Sequence, residues 1–493
     1  MPITAMGSCK VPGFQREKQE ATRPKLVELR SSRWFIMFVV SFAAATDVFM
    51  YGLIVPVTPT ALQNRVGLSE RSVQGWTSVL LALFSAALLA FSPIVGYIAD
   101  RSESRRRPLL FGLVALGAAT ALLCVGTNIG LWVAGRLFQG TAAAVVWVVG
   151  IALMVDTVGK DGLGQAMGYV SMAISFGTLT GPLLGGVLYQ DGGYYAVFGL
   201  AFGFIGLDIF LRLVLIERKH AIKWLVPDNR PLAAEQQATE KGAGENPTSS
   251  PTPSSGSDNQ DPPKDPPSRS ALWRVAFLLS SPRLIVALWG NFIISLCPST
   301  IRARDIRMAA KRSGTDIHPA HGTTCVGPVA GFIIDKFPRS GRYITAGAFL
   351  SSVPVMVLLR LVTDNSMQHK ILLCALLALL GLCFAVVLPP LDAEVFHAVK
   401  EKEDQTPDLF GRGGAMALAF GLSNMGFAAG SLIGPVFAGF IRQQAGWGTM
   451  GWALGLMAGV SSIPILLFLG GWILGEPVRS GDEAQVPESA SGS

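Results

Sequence analysis

Ten runs of mostly apolar residues recur along the chain, near 34–55, 76–98, 109–129, 131–154, 165–188, 194–216, 343–362, 371–391, 415–441 and 450–474. Each is about 20 residues or more, the length an α-helix rising ~1.5 Å per residue needs to cross a ~30 Å hydrocarbon layer. Length alone, 493 residues, would allow roughly three soluble domains. Only 15% of the residues are charged, however, against about 25% in soluble domains, too few to keep three globules in water. The six cysteines, Cys9, Cys124, Cys297, Cys325, Cys374 and Cys383, are sparse and mostly sit in apolar runs, which excludes a disulfide scaffold. Neither they nor the five histidines show metal-ligand spacing, so no metal and no cofactor is expected. The net charge of +7 is spread between apolar runs and not over one aromatic-studded patch, which suits a membrane surface and not nucleic acid. The expected class is an all-α polytopic membrane protein, integral and multi-pass.

The polar segments divide the chain. Residues 1–33 form a basic N-terminal tail without a cleavable leader pattern, so the first span serves as its own insertion signal. A six-helix half is expected over 34–217, a linker over 218–283, a second half over 284–474 and a tail over 475–493. The linker middle holds Pro247, Pro251, Pro253, Pro262, Pro263, Pro266 and Pro267, a composition that cannot bury enough apolar surface to order itself. The N-terminal tail, the 101–107 loop and the linker are rich in Lys and Arg, whereas the 126–131 and 188–194 loops have none. The rich side is cytoplasmic, which places both termini and the linker there.

Two patterns occur twice in the same order. Gly96-Tyr97-Ile98-Ala99-Asp100-Arg101 recurs as Gly331-Phe332-Ile333-Ile334-Asp335-Lys336. Gly177, Gly181, Pro182, Gly185 and Gly186 recur as Gly430, Gly434, Pro435, Ala438 and Gly439. Two registered repeats flanking a linker indicate two pseudo-symmetric six-helix halves, nominally 12 transmembrane helices, the repeat architecture of secondary transporters with a cavity near the midplane. The stretch GYIADRSESRRR at 96–107 resembles the loop 2–3 signature of the major facilitator superfamily, and RLFQG at 136–140 its fourth-helix motif. GTLTGPLLGG at 177–186 resembles the fifth-helix motif of the drug:proton antiporter branch. Asp47 within TDVFMYGLIVPVTP resembles the first-helix acidic position of the vesicular amine transporter-like group, fungal members included.

Asp47 is the only charge between Trp34 and Val57. A carboxylate at mid-span needs a cavity or a partner, and one that holds either a proton or a cation is a physical basis for exchange; the alternative is a structural hydrogen bond to a neighbouring helix. Arg136 lies inside the fourth run with Gln139 one turn on, and the resemblance sets this arginine near a proton pathway; otherwise it snorkels to the outer interface. Asn424 is a candidate cavity contact or an interhelical hydrogen bond, and Trp147 a cation–π face or a packing residue. Asp208 and Arg212, spaced i,i+4, read as an intrahelical ion pair or a proton relay. Asp392, Glu394 and His397 fit a cavity border or a cytoplasmic helix end equally.

The resemblance makes Gly96, Asp100, Arg101, Arg105 and Arg106, with Asp335 and Lys336 in the repeat, a cytoplasmic gate between the halves. It makes Gly177, Gly181, Pro182, Gly185 and Gly186, with Gly430, Gly434 and Pro435, a packing motif coupling the halves. No phosphate-binding loop and no catalytic arrangement is visible in the sequence, so neither ATP-driven transport nor an enzyme is expected. The implied activity is proton-coupled antiport or efflux of a small organic molecule (an amine, drug or secondary metabolite) by alternating access, from a monomer in the plasma or a vacuolar or vesicular membrane. An uncoupled facilitator is the rival reading. One region breaks the pattern. The seventh apolar core spans 284–297, Pro298 interrupts its continuation, and five basic residues lie within 302–312. Helices 7 and 8 are therefore expected to be irregular or truncated, with 298–325 atypical, which leaves open a product whose defective C-terminal half does not transport.

Overall fold

In the computed structural model, residues 26–218 (except 103 and 161), 221, 224, 270–309, 326–362 (except 338), 366–406, 410 and 414–473 are described. Among them every regular element is a helix. The first half comprises α1 (Val27–Arg30), α2 (Arg33–Ile54), α3 (Val57–Asn64), α4 (Glu70–Asp100), α5 (Arg106–Val125), α6 (Ile129–Val158) and α7 (Leu163–Val214). After the linker come α8 (Ala271–Leu279), α9 (Pro282–Ala309), α10 (Val326–Lys336), α11 (Ser340–Leu358), α12 (Met367–Ala385), α13 (Leu388–Gln405) and α14 (Met416–Phe468). Nine of the described helices are long and apolar enough to cross a membrane, and α8 with the Pro282–Pro298 part of α9 forms a further candidate span bent by 91°. Their outward faces carry large apolar side chains such as Phe111, Phe138, Val436, Phe440 and Ile463, a liability in water that lipid removes.

Side-chain oxygens start several helices where the pattern predicts. Ser32 accepts from the Phe35 amide at 3.2 Å and Asn128 from the Leu131 amide at 2.9 Å, satisfying donors that the helix leaves unpaired. Glycines make the tight returns. Gly193 breaks α7 into two arms at φ 73° and Gly446 breaks α14 at φ 81°, conformations that only glycine adopts cheaply. They are 253 positions apart (446 − 193), the same offset as Gly177 and Gly430 (430 − 177), so the repeat extends through the whole hairpin. The Arg30 guanidinium donates to the Val214 carbonyl at 2.6 Å, and the Glu217 carboxylate accepts from the Arg106 amide at 2.6 Å. These bonds gather the N-terminal end, the 101–107 loop and the end of α7 at one basic face, the face expected from the sequence to lie on the cytoplasmic side by the charge rule.

Two sequence expectations need revision. The glycine motif was expected to pack the halves together, yet it lies inside each half. A Cβ at Gly177, Gly181 or Gly185 would stand 2.6, 2.7 or 2.5 Å from the carbonyls of Ala45, Phe49 and Leu53 on α2. Gly430 likewise faces the Phe292 carbonyl on α9, whereas Gly186 has open space around it. Small residues bring helices together without regard to which half supplies the partner, so spacing alone did not identify it. Helix 7 is irregular, as expected: its apolar part ends at Pro298 and is bent by 91° from α8, while the backbone runs on as helix to Ala309, because a proline costs one hydrogen bond and a bend but the following Arg, Ala and Met residues favour helix. The described part of the eighth helix, α10, has 11 residues, about 16 Å at 1.5 Å each, short of a span; residues 310–325, residues 1–25 of the tail expected over 1–33, and residues 474–493, which include the tail expected over 475–493, lie outside the described residues, as does most of the linker, 219–269, apart from residues 221 and 224. The linker expected to reach 283 gives way to α8 at Ala271.

The close approach of α2 to α7 makes a sharp prediction. Gly181→Val forces side-chain atoms against the Phe49 carbonyl and should lower stability by about 1–3 kcal/mol, while Gly186→Ala should be neutral. Thermal unfolding of the purified protein in detergent checks both; equal melting of the two variants would contradict the packing.

Candidate functional site

The centre of the first half is built around α2. Asp47 is 5% exposed, and its Oδ2 accepts a hydrogen bond from the Trp147 indole of α6 at 2.8 Å. Trp147 is half-buried. One turn along α2, Tyr51 packs against Phe84 of α4 in a tilted arrangement with centroids 5.1 Å apart and lies within electrostatic reach of Arg136 on α6. Arg136 has no exposed surface, so it does not snorkel. Its Nη1 donates to Gln139 Oε1 at 3.0 Å, while its Nε and Nη2 have no hydrogen-bonding partner among the described residues. No ion pair joins Asp47 to Arg136 among the described residues; Tyr51, at i+4 from Asp47 on α2, is the residue of that helix within electrostatic reach of Arg136. In the inward direction, Asp208 and Arg212 on the second arm of α7 are 0% and 1% exposed.

The second half lacks this acid. Gly177 faces the Ala45 carbonyl and its counterpart Gly430 faces that of Phe292, which sets the register of α2 against α9 at 247 positions (292 − 45). The position equivalent to Asp47 is therefore Ile294. A different polar group lies nearby, one that the sequence pointed to only in part. Asp392 of α13 is buried and hydrogen-bonded by the side chains of Asn291 and Ser423, and Asn291 donates to Ser423 at 2.7 Å. Asn291, the lone amide of an apolar run, was the missed signal. Glu394 separates from Asp392: it takes an ion pair from Arg283 at 2.5 Å, which Arg283 shares with Glu401 at 2.6 Å. Asn424 donates to Ser92 of α4 at 2.9 Å, a bond between the halves in place of an open cavity contact.

At the basic end the halves are joined by two equivalent carboxylates. Asp100, ending α4, accepts from the Ala417 and Leu418 amides of α14 at 2.9 and 2.8 Å. Asp335, near the end of α10, accepts from the Gly164 and Gln165 amides of α7 at 2.8 Å each. Each caps the unpaired donors of a facing helix, where the helix dipole also favours negative charge. Gly96 and Gly331 permit the approach: a Cβ on Gly96 would stand 2.5 Å from the Ala417 carbonyl, and one on Gly331 would strike the Gly164 carbonyl. The basic members of the expected gate stay within their own half. Arg105 contacts Asp100, Asp156 at 3.2 Å and the Ala99 carbonyl; Arg106 donates to the Leu213 carbonyl at 2.6 Å. Arg101 lies over Tyr97 with 4.3 Å to the ring centroid, and Lys336 sits 5.7 Å from the Phe337 ring centroid. A carboxylate matches backbone donors and an arginine does not, which is why the crossing falls to the acids alone.

Comparison with known proteins gives the family. The family model described as Major Facilitator Superfamily matches residues 37–303 and 319–491. An uncharacterized MFS-type transporter of Schizosaccharomyces pombe is 32% identical over 85% of this chain and 92% of its own length. Shorter matches include a probable vesicular acetylcholine transporter-B of Danio rerio, 31% identical over 34% of this chain and 35% of that protein. Another is the class G tetracycline resistance protein of Vibrio anguillarum, 32% identical over 32% of this chain and 39% of that protein. The crystal structure of the human organic anion transporter MFSD10 (TETRAN) shares the fold, with a TM-score of 0.55 over 88% of this chain and 99% of that one at 17% identity. With its helical repeat, its paired carboxylate caps and this family match, the chain belongs to the major facilitator superfamily as an integral multi-pass membrane transporter.

Proposed function

We propose that the protein exchanges protons for a small organic cation by alternating access, with Asp47 as the group that holds one or the other. The observation that carries the reading is the placement of one buried carboxylate, bonded to a single indole, at the centre of a half whose repeat has isoleucine in that position. A lone carboxylate in a low-dielectric interior is neutralised by a proton or by a cationic ligand. Cation entry expels the proton, and proton return expels the cation. The half-buried Trp147 ring lies beside the site and offers its face to an ammonium. Tyr51, Arg136 and Gln139 form the polar column on the outer side. The similarity to acetylcholine and tetracycline transporters supports an amine or drug as the cargo.

Asp100 and Asp335 act as latches of the cytoplasmic gate in this reading. The chain is then held closed on that side, and loss of either latch favours the cytoplasm-open arrangement. Hydrogen bonds to a charged group contribute about 1.5–3 kcal/mol, so Asp100→Asn should shift the balance at least ~10-fold towards the open form. Spin labels at the cytoplasmic ends of α4 and α14, in a cysteine-free background, report this as a longer distance. An unchanged distance distribution would refute the latch.

The transport claim is tested in acid-loaded vesicles with a pH-sensitive acridine dye. Addition of acetylcholine, tetraphenylphosphonium or tetracycline, tried in turn, should dissipate the gradient with wild type for at least one compound. Asp47→Asn should abolish that response and, because it removes the cation's counter-charge, gradient-free exchange of the same compound as well. A response that survives in Asp47→Asn contradicts the role; flux indifferent to the gradient in wild type favours the uncoupled facilitator.

A further inference from the structure

Buried polar atoms without a hydrogen-bonding partner are not scattered evenly. Twelve such side-chain atoms occur among the described residues, and six belong to Thr46, Asp208 and Arg212. The three residues share one seam between α2 and the second arm of α7. Phe42 and Phe49 of α2 both stack on Phe204, with centroids 6.1 and 4.6 Å apart. Thr46 lies between them on that helix face, at i+4 from Phe42 and i−3 from Phe49. Phe204, Asp208 and Arg212 follow one another at i, i+4 and i+8 on α7, so they descend one face towards the basic end. Asp208 is also within electrostatic reach of Asp47. Thus Asp47 and Thr46 stand at the top of the seam, Asp208 about one turn below, and Arg212 in the last turn of α7.

The Asp208–Arg212 pair is a poor structural brace. Arg212 Nε and Asp208 Oδ1 are 3.7 Å apart, too long for a hydrogen bond. Both Asp208 oxygens and all three Arg212 nitrogens lack hydrogen-bonding partners among the described residues. A buried ion pair offsets its desolvation only when the remaining lone pairs and protons are satisfied, and groups of this kind are satisfied by internal water. The charge count points the same way. Asp47, Asp208 and Arg212 sum to −1, so the cluster is neutral when it holds one proton. Among the described residues no other charged group faces Asp208: α5 has no charged side chain between Pro108 and Val125, and α3 has none. On α6 the charged groups are Arg136 on the outer side and Asp156, which Arg105 engages. At the lower end, Arg30 and Arg106 cap the last α7 carbonyls, Val214 and Leu213, next to the Glu217 carboxylate.

We propose that the seam lined by Thr46, Asp208 and Arg212 is a water-filled proton exit running from Asp47 to the cytoplasm inside the first half, separate from the path of the organic substrate. When a cation reaches Asp47, the Asp47 O–H bond breaks and its proton passes to a seam water, while a proton of that water forms the new O–H bond on Asp208. Asp208 then gives its proton to water beyond Arg212, and its carboxylate returns to the arginine. The proton leaves through the first half while the cation arrives between the halves, once Asp100 and Asp335 have released, so substrate and proton never compete for one corridor. The inference rests on Asp47 as the exchange carboxylate, but the seam is read out without any substrate.

Infrared pH-difference spectra of the full chain in liposomes provide that readout. Wild type should show carboxylic-acid C=O bands from both residues, and both should move to their deuterated positions within seconds of perfusion with D2O. Asp208→Asn should delete one band and shift the one that Asp47→Asn deletes. Asp208→Asn with Arg212→Gln removes both charges together and guards against misfolding from a lone buried arginine; it should give the same spectral result. Thr46→Val should slow the deuterium shift of the Asp47 band at least ~10-fold, the scale on which loss of a proton-transfer group is felt. Bands that exchange over hours, or an Asp47 band blind to Asp208→Asn and to the paired variant, would overturn the exit. Failure of Asp47→Asn to alter vesicle transport would instead remove the coupling role and leave the seam result standing.

Discussion

A carboxylate at the middle of a membrane helix must always have a partner, and the first half is organised around that constraint. Asp47 has one protein hydrogen bond, from Trp147, which leaves capacity for a proton or a cation. Above it, Tyr51 lies within electrostatic reach of the buried Arg136, which bonds Gln139; below it, Asp208 and Arg212 lead towards the basic face. Charges cost several kcal/mol in such surroundings. Their concentration in one half, with Ile294 in the equivalent position of the other, makes the two repeats unequal in chemistry although alike in fold.

The same electrostatic logic acts at the cytoplasmic end with opposite geometry. There the carboxylates are satisfied fully, by backbone donors of the facing half. Each cap joins a helix end of one repeat to a helix start of the other, so in the proposed cycle the halves rock only when both caps release. The glycine motif contributes differently: it fuses α2 to the first arm of α7 and α9 to the first arm of α14. In the proposed cycle, movement of the Asp47 site is tied to rigid units within each half, while the caps set when those units part.

Much of this was legible in the sequence, for identifiable reasons. Apolar length and charged loops mark membrane helices because lipid leaves no alternative. The repeat of Gly96 with Asp100, and of Gly177 with Pro182, identified both halves because glycine and buried acids have few substitutes at close contacts. What spacing could not supply was the partner. It did not distinguish Gly177 against Ala45 in the same half from a contact across halves, nor show that Asp100 alone crosses while Arg105 and Arg106 stay behind. Asn291 escaped because a single amide in an apolar run carries no period. At α9 the charge pattern correctly flagged 298–309 as foreign to a span, yet helix propensity carries the backbone through it.

Coupled exchange turns on whether Asp47 holds a proton or a cation but never both. Calorimetric titration of the purified protein with a cation identified by vesicle transport, in two buffers of different ionisation enthalpy, counts the protons released on binding. Wild type should release about one proton per cation when Asp47 begins protonated, and Asp47→Asn none. Cation binding that releases no proton from wild type at any pH would contradict the exchange.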